Sequence, residues 1–291
     1  MIAVMSELSP ELLAAVDNMP AFPKSAQAIL ALTQDTHCSP KDLARVIEKD
    51  PVVTVKVLRV VNSAYYRLPD SISSIDHALV FLGMNTVKNL ALGLSAVSMV
   101  QSHPLSHFDA QRYLVHSLLT AALARKLARG ADANDCFIAG LLHDFGKVVI
   151  AHAMPQLFCK SMEMSYWKPA SLHQTLVDFV HVDDAAVAAR LIEKWNFPDD
   201  LVQTIRHQNQ PHLRDTPIMA CLVASIQISQ HLGFGFGGQG SDTATLPDCV
   251  AKRLGGNLTD ILRGLEDLSP LLEDVSMYAK TDPTPVEEPI T

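Results

Sequence analysis

In the stretch AGLLHDFGKVVIAHAMP, from Ala139 to Pro155, a histidine and an aspartate stand side by side, His143 and Asp144, between two apolar runs. A neutral imidazole and an ionised carboxylate are good ligands for divalent zinc, iron or manganese. Successive residues of a helix project about 100° apart, so an adjacent pair serves one ion where a helix ends or bends. Gly146 offers such an end, and the run CFIAGLL carries the pair into the interior. His116, in the middle of the long helical segment upstream, is the candidate third ligand from a facing helix. Asp144 is the candidate general base, and Lys147 is the obvious phosphate-facing cation beside it. The competing explanation is structural: a buried pair, hydrogen-bonded to each other, that holds a bend between two helices.

Such a pair needs helices to hold it, and helix start signals recur along the chain where alternating apolar patterns do not. LSPELLAAV offers Ser9 as N-cap with Pro10 in the first helical position, and CSPKDLARVIEKD repeats this with Ser39, Pro40 and Asp42. In SSIDHALVFLG, Ser73 and Asp76 stand at capping-box spacing and Gly83 stops the helix, so that another starts from Asn85. DAQRYLVHSLLTAALARKLARG reads as the longest helix, capped by Asp109 and ended by Gly130. Further helices are expected at Asn134 to His143, Pro155 to Tyr166, Ser171 to Val180, Asp184 to Trp195, Asp199 to Gln208 and Thr216 to Leu232. GFGFGGQGSD reads as a mobile connection without the lysine a phosphate cradle needs, and TDPTPVEEPIT as a disordered tail. The fold class expected is all-α. The less ordered piece from Gln101 to Phe108 divides an N-terminal helical lobe, 1–105, from a helical core, 106–235, followed by a helical extension, 236–280, and the tail, 281–291.

An apolar fraction of 48% with 19% charged residues is the make-up of a globular protein. The net charge of −8 argues against the broad basic footprint of a nucleic-acid binder. PKDLARVIEKDPVVTVKVLRVVNSAYYR has a helix-turn-helix outline, with six basic residues against three acidic ones from Lys41 to Arg67. Its second helix is apolar nearly all round, which predicts burial rather than groove reading. Asn62 and Ser63 are expected to end that helix through side-chain bonds to the backbone, ahead of Tyr65 and Tyr66. The five cysteines are scattered, with no CxxC spacing, and read as reduced thiols in the cytoplasm. No run reaches the roughly 18 apolar residues of a membrane span. His103, His107 and His152 show no ligand spacing and read as surface or linker residues.

Five ordered blocks carry a family resemblance: KDLARVIEKDPVVTVKVLRVVNSAYY, SISSIDHALVFLGMNTVKNLAL, LVHSLLTAALARKLA, AGLLHDFGKVVIAHAMP and AARLIEKWNFPDDLVQTIRHQN. His116 followed by HDFGK resembles the HD superfamily of metal-dependent phosphohydrolases. The whole series, from Pro20 to Gly233, resembles the HDOD domain, the HD-related output domain of bacterial signalling proteins. The resemblance implies an all-helical, two-lobed fold with an N-terminal helical bundle packed on an HD-like core. It implies His116, His143 and Asp144 as metal ligands, His207 of IRHQN as a further one, and Asp144 and Lys147 as catalytic residues.

The resemblance also marks losses. HD hydrolases bring a further Asp from a later helix, and alignment on Leu232 and Gly233 puts Ile226 at that place, with Ser225 beside it. A block that in relatives reads xDHAxxGAxLL is here VDDAAVAARLI, so Asp184 replaces a histidine. For Asp184 and His207 the plainer expectation is a solvated surface residue. The sequence thus points to a bacterial signalling module, non-catalytic or weakly catalytic, with a degenerate site for at most one divalent transition metal, Fe, Mn or Zn. It would bind a signalling protein partner or a small phosphate-containing ligand in the cleft between the lobes, without nucleic acid or membrane. The alternative is a metal-dependent phosphohydrolase acting on a nucleotide or another phosphate ester.

Overall fold

A computed structural model describes residues 8–19, 23–33, 38–62, 71–101, 108–167, 170–237, 245–265, 267–269 and 271–272. Every regular element among them is helical. Ser9 caps α1 (Pro10–Asn18) by accepting from the backbone N–H of Leu12. After α2 (Lys24–Thr33), α3 (Pro40–Glu48) opens on the full capping box of Ser39 and Asp42. The Asp50 carboxylate accepts from the N–H groups of Val52 and Val53 at the start of α4 (Pro51–Val61). The expected box of Ser73 and Asp76 shifts by one residue: α5 (Ile75–Leu82) is capped by Ser74, which accepts from His77, and it closes on Gly83 at φ 78°. α6 (Met84–Gln101) starts one residue before the expected Asn85.

Asn62 does end α4, and it reaches further. Its Nδ2 donates to the carbonyls of Leu58 (2.8 Å) and Ile72 (2.7 Å), and its Oδ1 accepts from the Ile72 N–H (2.6 Å), tying the end of α4 to the segment that enters α5. Ser63, Tyr65, Tyr66, His103 and His107, the lobe boundary at 105 and the tail lie outside the described residues. α4 is not wrapped as its composition predicts: Val53, Val57, Val60 and Val61 are buried, but Val52 and Val55 are 58% and 54% exposed. Helices α2 to α6 pack on one another as the N-terminal bundle.

The core begins with α7 (Ala110–Lys126), on which every side chain from Val115 to Ala124 is buried. A helix buried all round lies at the centre of a layered core. It carries α8 (Ala133–Leu142) on one side and α14 (Pro217–His231) on another, with α9 (Phe145–Ala153), α10 (Pro155–Trp167), α11 (Leu172–Thr175), α12 (Asp184–Lys194) and α13 (Asp199–Arg206) completing the shell. A π turn, Leu176–Val180, continues α11 within the expected helix. α15 (Asp248–Leu254) and α16 (Leu258–Gly264) cover α14. The lobes join where α6 packs on α7 and α8, and α1 packs on α9 and α12. There Lys194 donates to the carbonyls of Val16, Asp17 and Met19 at the end of α1.

Two glycines set the closest approaches. A Cβ on Gly140 would lie 2.6 Å from the Cα of Ala121, so α8 rests backbone-to-backbone on α7. Gly146 does not end a helix as its type suggested. It sits in the first turn of α9, where a Cβ would lie 1.9 Å from the carbonyl oxygen of Asp184, and so it lets α9 dock on the start of α12. Among the described residues one window, Asp135–Ala153, is apolar enough on average to span a membrane, contrary to the sequence expectation. It runs from the first turn of α8 through the turn that follows to the end of α9, and 89% of it is buried inside the protein.

Candidate metal centre

His143 and Asp144 form the turn between α8 and α9, and both are buried. Gly140, packed against α7, brings this turn up to His116 on that helix. The Nε2 atoms of His116 and His143 face each other at 3.2 Å, and the Asp144 carboxylate closes a triangle, with Oδ2 3.4 Å from His116 Nε2 and Oδ1 3.4 Å from His143 Nε2.

Hydrogen bonds behind the rings decide what these atoms are. His143 Nδ1 lies 2.8 Å from the carbonyl oxygen of Gly140, and His116 Nδ1 lies 3.0 Å from that of Phe234, with Ser229 Oγ at 3.1 Å. A carbonyl only accepts, so each Nδ1 carries the proton and each Nε2 presents a lone pair. Burial holds His143 down at about 4, which keeps its ring neutral. Two imidazole lone pairs and a carboxylate therefore converge with no proton between them, an arrangement that a cation in their midst relieves. The spacing suits one. Ligands about 2.0–2.1 Å from a tetrahedral ion stand about 3.3 Å apart. Residues behind the ligands that fix their tautomers are a regular part of metal sites.

The surroundings contain more charge than the motif predicts. Lys147 Nζ donates to Asp144 Oδ2 at 2.7 Å and lies 3.9 Å from Asp184 Oδ2. Burial pushes the Asp144 carboxyl up, and the Lys147 ammonium on its Oδ2 pulls the other way; the net shift is well below the usual range. Asp184, expected in solvent, is buried, and its Oδ1 is 2.5 Å from His173 Nδ1. The docking of α9 at Gly146 draws the first turn of α12 inward, and Asp184 goes with it. A signal was present: Asp184 shares a helix face with Val187, Ala188 and Leu191, all buried. His173 had no motif to mark it.

His207 does not join the other ligands. It caps the end of α13, half-buried, where burial and the charges of Arg206 and Arg214 lower its pKa. The next residue turns inward instead: Gln208 donates from Nε2 to the His143 carbonyl (2.8 Å), and its buried Oε1 has no protein partner. The start of the glycine-rich segment is likewise part of the site rather than a mobile connection. Phe234 fixes the tautomer of His116, Phe236 packs against Phe108 and Tyr113, and Gly237, at φ 82°, sits over Leu172. Residues 238–244 lie outside the described residues.

The triad opens onto a cavity of about 220 Å³ whose walls include Lys147, His173, Gln208, Ile226, Gln227 and Phe236. It is lined by α7, the α8–α9 turn, α11, α12 and α14 of the core. Ile226, placed by the sequence where HD hydrolases supply an aspartate, does face this cavity. Its side chain has no donor atom.

A family model described as the HDOD domain matches residues 19–211, most of the chain. The chain belongs to the HDOD family. An uncharacterized protein of Treponema pallidum (strain Nichols) is 26% identical to this HDOD chain over 203 residues, 68% of it, and the match spans 39% of that longer protein. Among solved structures, an HDOD domain protein of unknown function from Geobacter sulfurreducens is 20% identical, with TM-score 0.77 over 92% of this chain and 95% of its own. A protein of Marinobacter aquaeolei VT8, provisionally assigned to signal transduction, is 26% identical, with TM-score 0.70 over 93% of this chain and 64% of its own. A provisional phosphohydrolase of Shewanella amazonensis SB2B is 24% identical, with TM-score 0.69 over 93% of this chain and 97% of its own. The all-helical, two-lobed HDOD fold is common to them.

Proposed function

We propose that this HDOD chain is a bacterial signalling module whose HD-like centre binds one divalent transition metal, Fe, Mn or Zn, through His116, His143 and Asp144, and turns over substrate weakly or not at all. Its output is contact with a signalling protein partner, set by what the centre and its cavity hold. A bound ion would supply Lewis acidity there. Hydrolysis of a phosphate ester asks more of the protein: a base to prepare the nucleophile and a group to stabilise the departing oxygen.

One observation carries the proposal. Both carboxylates of the cavity are already held by cations, Asp144 by Lys147 and Asp184 by His173, and both are shifted below the usual carboxylate range. A general base works best with a pKa near the operating pH, and these two are driven the other way. The cation that could steady a phosphate, Lys147, is occupied by the same contact. Ile226 leaves the centre one anion short of a hydrolytic set.

The second reading, a metal-dependent phosphohydrolase acting on a nucleotide or another phosphate ester, is favoured by the near-tetrahedral spacing of the three donors and their opening onto a cavity. Metal analysis of the purified protein, joined to a phosphodiesterase and phosphatase screen with D144A as control, separates the two. The signalling module retains metal that D144A loses and shows no Asp144-dependent hydrolysis. Turnover that disappears in D144A would establish the enzyme instead.

A further inference from the structure

Lys147 occupies an unusual place for a lysine. Its side chain is 9% exposed, in a cavity wall, with one carboxylate at 2.7 Å and a second at 3.9 Å. The oxygen it binds, Asp144 Oδ2, is the same one that faces His116 Nε2 at 3.4 Å. Anything cationic drawn in by the two imidazole lone pairs and Asp144 therefore meets the ammonium on a shared oxygen, where little water screens one charge from the other. Asp184 sits where a displaced ammonium would go. Its Oδ1 is taken by His173 and its Oδ2 faces Lys147 across a gap about one ångström longer than a hydrogen bond.

We propose that Lys147 is a built-in rival of the metal: its ammonium neutralises Asp144 in the metal-free protein, and a divalent ion is accepted only as Lys147 yields that carboxylate and passes to Asp184. This rests on the metal-binding reading above and deepens it, because it makes metal affinity an adjustable property of the module. The lysine keeps the metal-free centre folded and electrically balanced, and it raises the ion concentration needed to fill the site. The exchange moves one side chain from the turn that opens α9 to the first turn of α12, two elements that touch backbone-to-backbone at Gly146.

The test is a pair of measurements on the full chain, stripped with chelator and dialysed: calorimetric titration with Zn²⁺ and with Mn²⁺, and thermal unfolding without metal. K147M should bind metal about tenfold or more tightly than wild type, because a like charge is gone from a desolvated site. The same variant should melt at a lower temperature without metal, because the buried Asp144 carboxylate loses the cation that holds it. Opposite signs are the signature. A lysine with a purely structural role would lower both affinity and melting temperature, and that result, or an unchanged affinity, overturns the proposal.

D184N provides the second arm should K147M fail to fold. With no carboxylate to receive the ammonium, its metal affinity should fall about tenfold, and an unchanged affinity overturns the proposal by itself. Wild-type binding that is lost in H116A and H143A, with no gain in K147M, refutes the rivalry and leaves the metal site standing. Wild type that takes up no metal in a His116- and His143-dependent manner refutes both.

Discussion

Replacing Gly146 with alanine places a methyl carbon 1.9 Å from the carbonyl oxygen of Asp184 and 2.9 Å from the backbone nitrogen of Ala188. Non-bonded heavy atoms rest about 3.5 Å apart, so α9 and α12 must separate by roughly 1.5 Å along that line. Neither obstructing atom belongs to a side chain that could swing aside. Overpacking a core costs about 1–3 kcal/mol, and a backbone-to-backbone clash belongs at or above the upper end. Alanine returns about 1 kcal/mol as the better helix former, which leaves a net loss of about 2 kcal/mol or more. G83A is the control. A Cβ there meets nothing within 4 Å, and φ is +78°, so only backbone strain remains, about 1–2 kcal/mol. Urea unfolding followed by circular dichroism measures both, with an unchanged slope showing that the midpoint shift is a stability change. G146A should also retain less metal, since the displaced turn carries the ligand Asp144. G146A unfolding at the wild-type urea concentration would refute the close contact between α9 and α12, and with it the account of how Asp184 reaches the site.

Two further expectations rest on named contacts. N62A removes the two hydrogen bonds that join the end of α4 to Ile72 and a third to the Leu58 carbonyl within α4, and it should cost about 1–2 kcal/mol in urea unfolding, since the site is only partly buried; no loss would mean that water replaces the clamp without penalty. The His173–Asp184 pair should shape stability against pH. Burial pushes His173 down, but the carboxylate beside it outweighs this and the net shift is upward from 6.5, while Asp184, pushed up by burial and drawn down more by His173, ends below 3.8. The imidazolium contribution is fully present below pH 6.5 and is lost as pH rises through the raised value. The carboxylate contribution is present above 3.8 and is lost as pH falls through the lowered value. Stability should therefore decline as pH climbs past 6.5, and H173N should flatten that limb in thermal unfolding. A decline that persists unchanged in H173N would assign it to another group.

Local features are legible in single segments of the chain. Ser9, Ser39 and Gly83 end or begin helices where their types say they should, because capping is settled between residues three or four apart. His116, His143 and Asp144 were legible through residue type and motif, and the structure brings them together. The register of neighbouring positions was not. Ser74 caps α5 in place of Ser73, and Gln208 turns inward in place of His207, because one residue of rotation at a helix end exchanges which side chain faces the core.

By itself the sequence determined an all-helical HDOD chain, most of its helices and the three residues that meet at the centre, since periodicity, caps and motif are written locally. Only the tertiary structure decided that Lys147 lies between two carboxylates, that His173 holds Asp184, that Phe234 fixes the tautomer of His116 and that the cavity lies in the core. Each of these joins different elements of the fold, through approaches as close as Gly140 on Ala121 and Gly146 on Asp184. Such contacts come from the packing of whole helices, and no segment specifies its own distance to another.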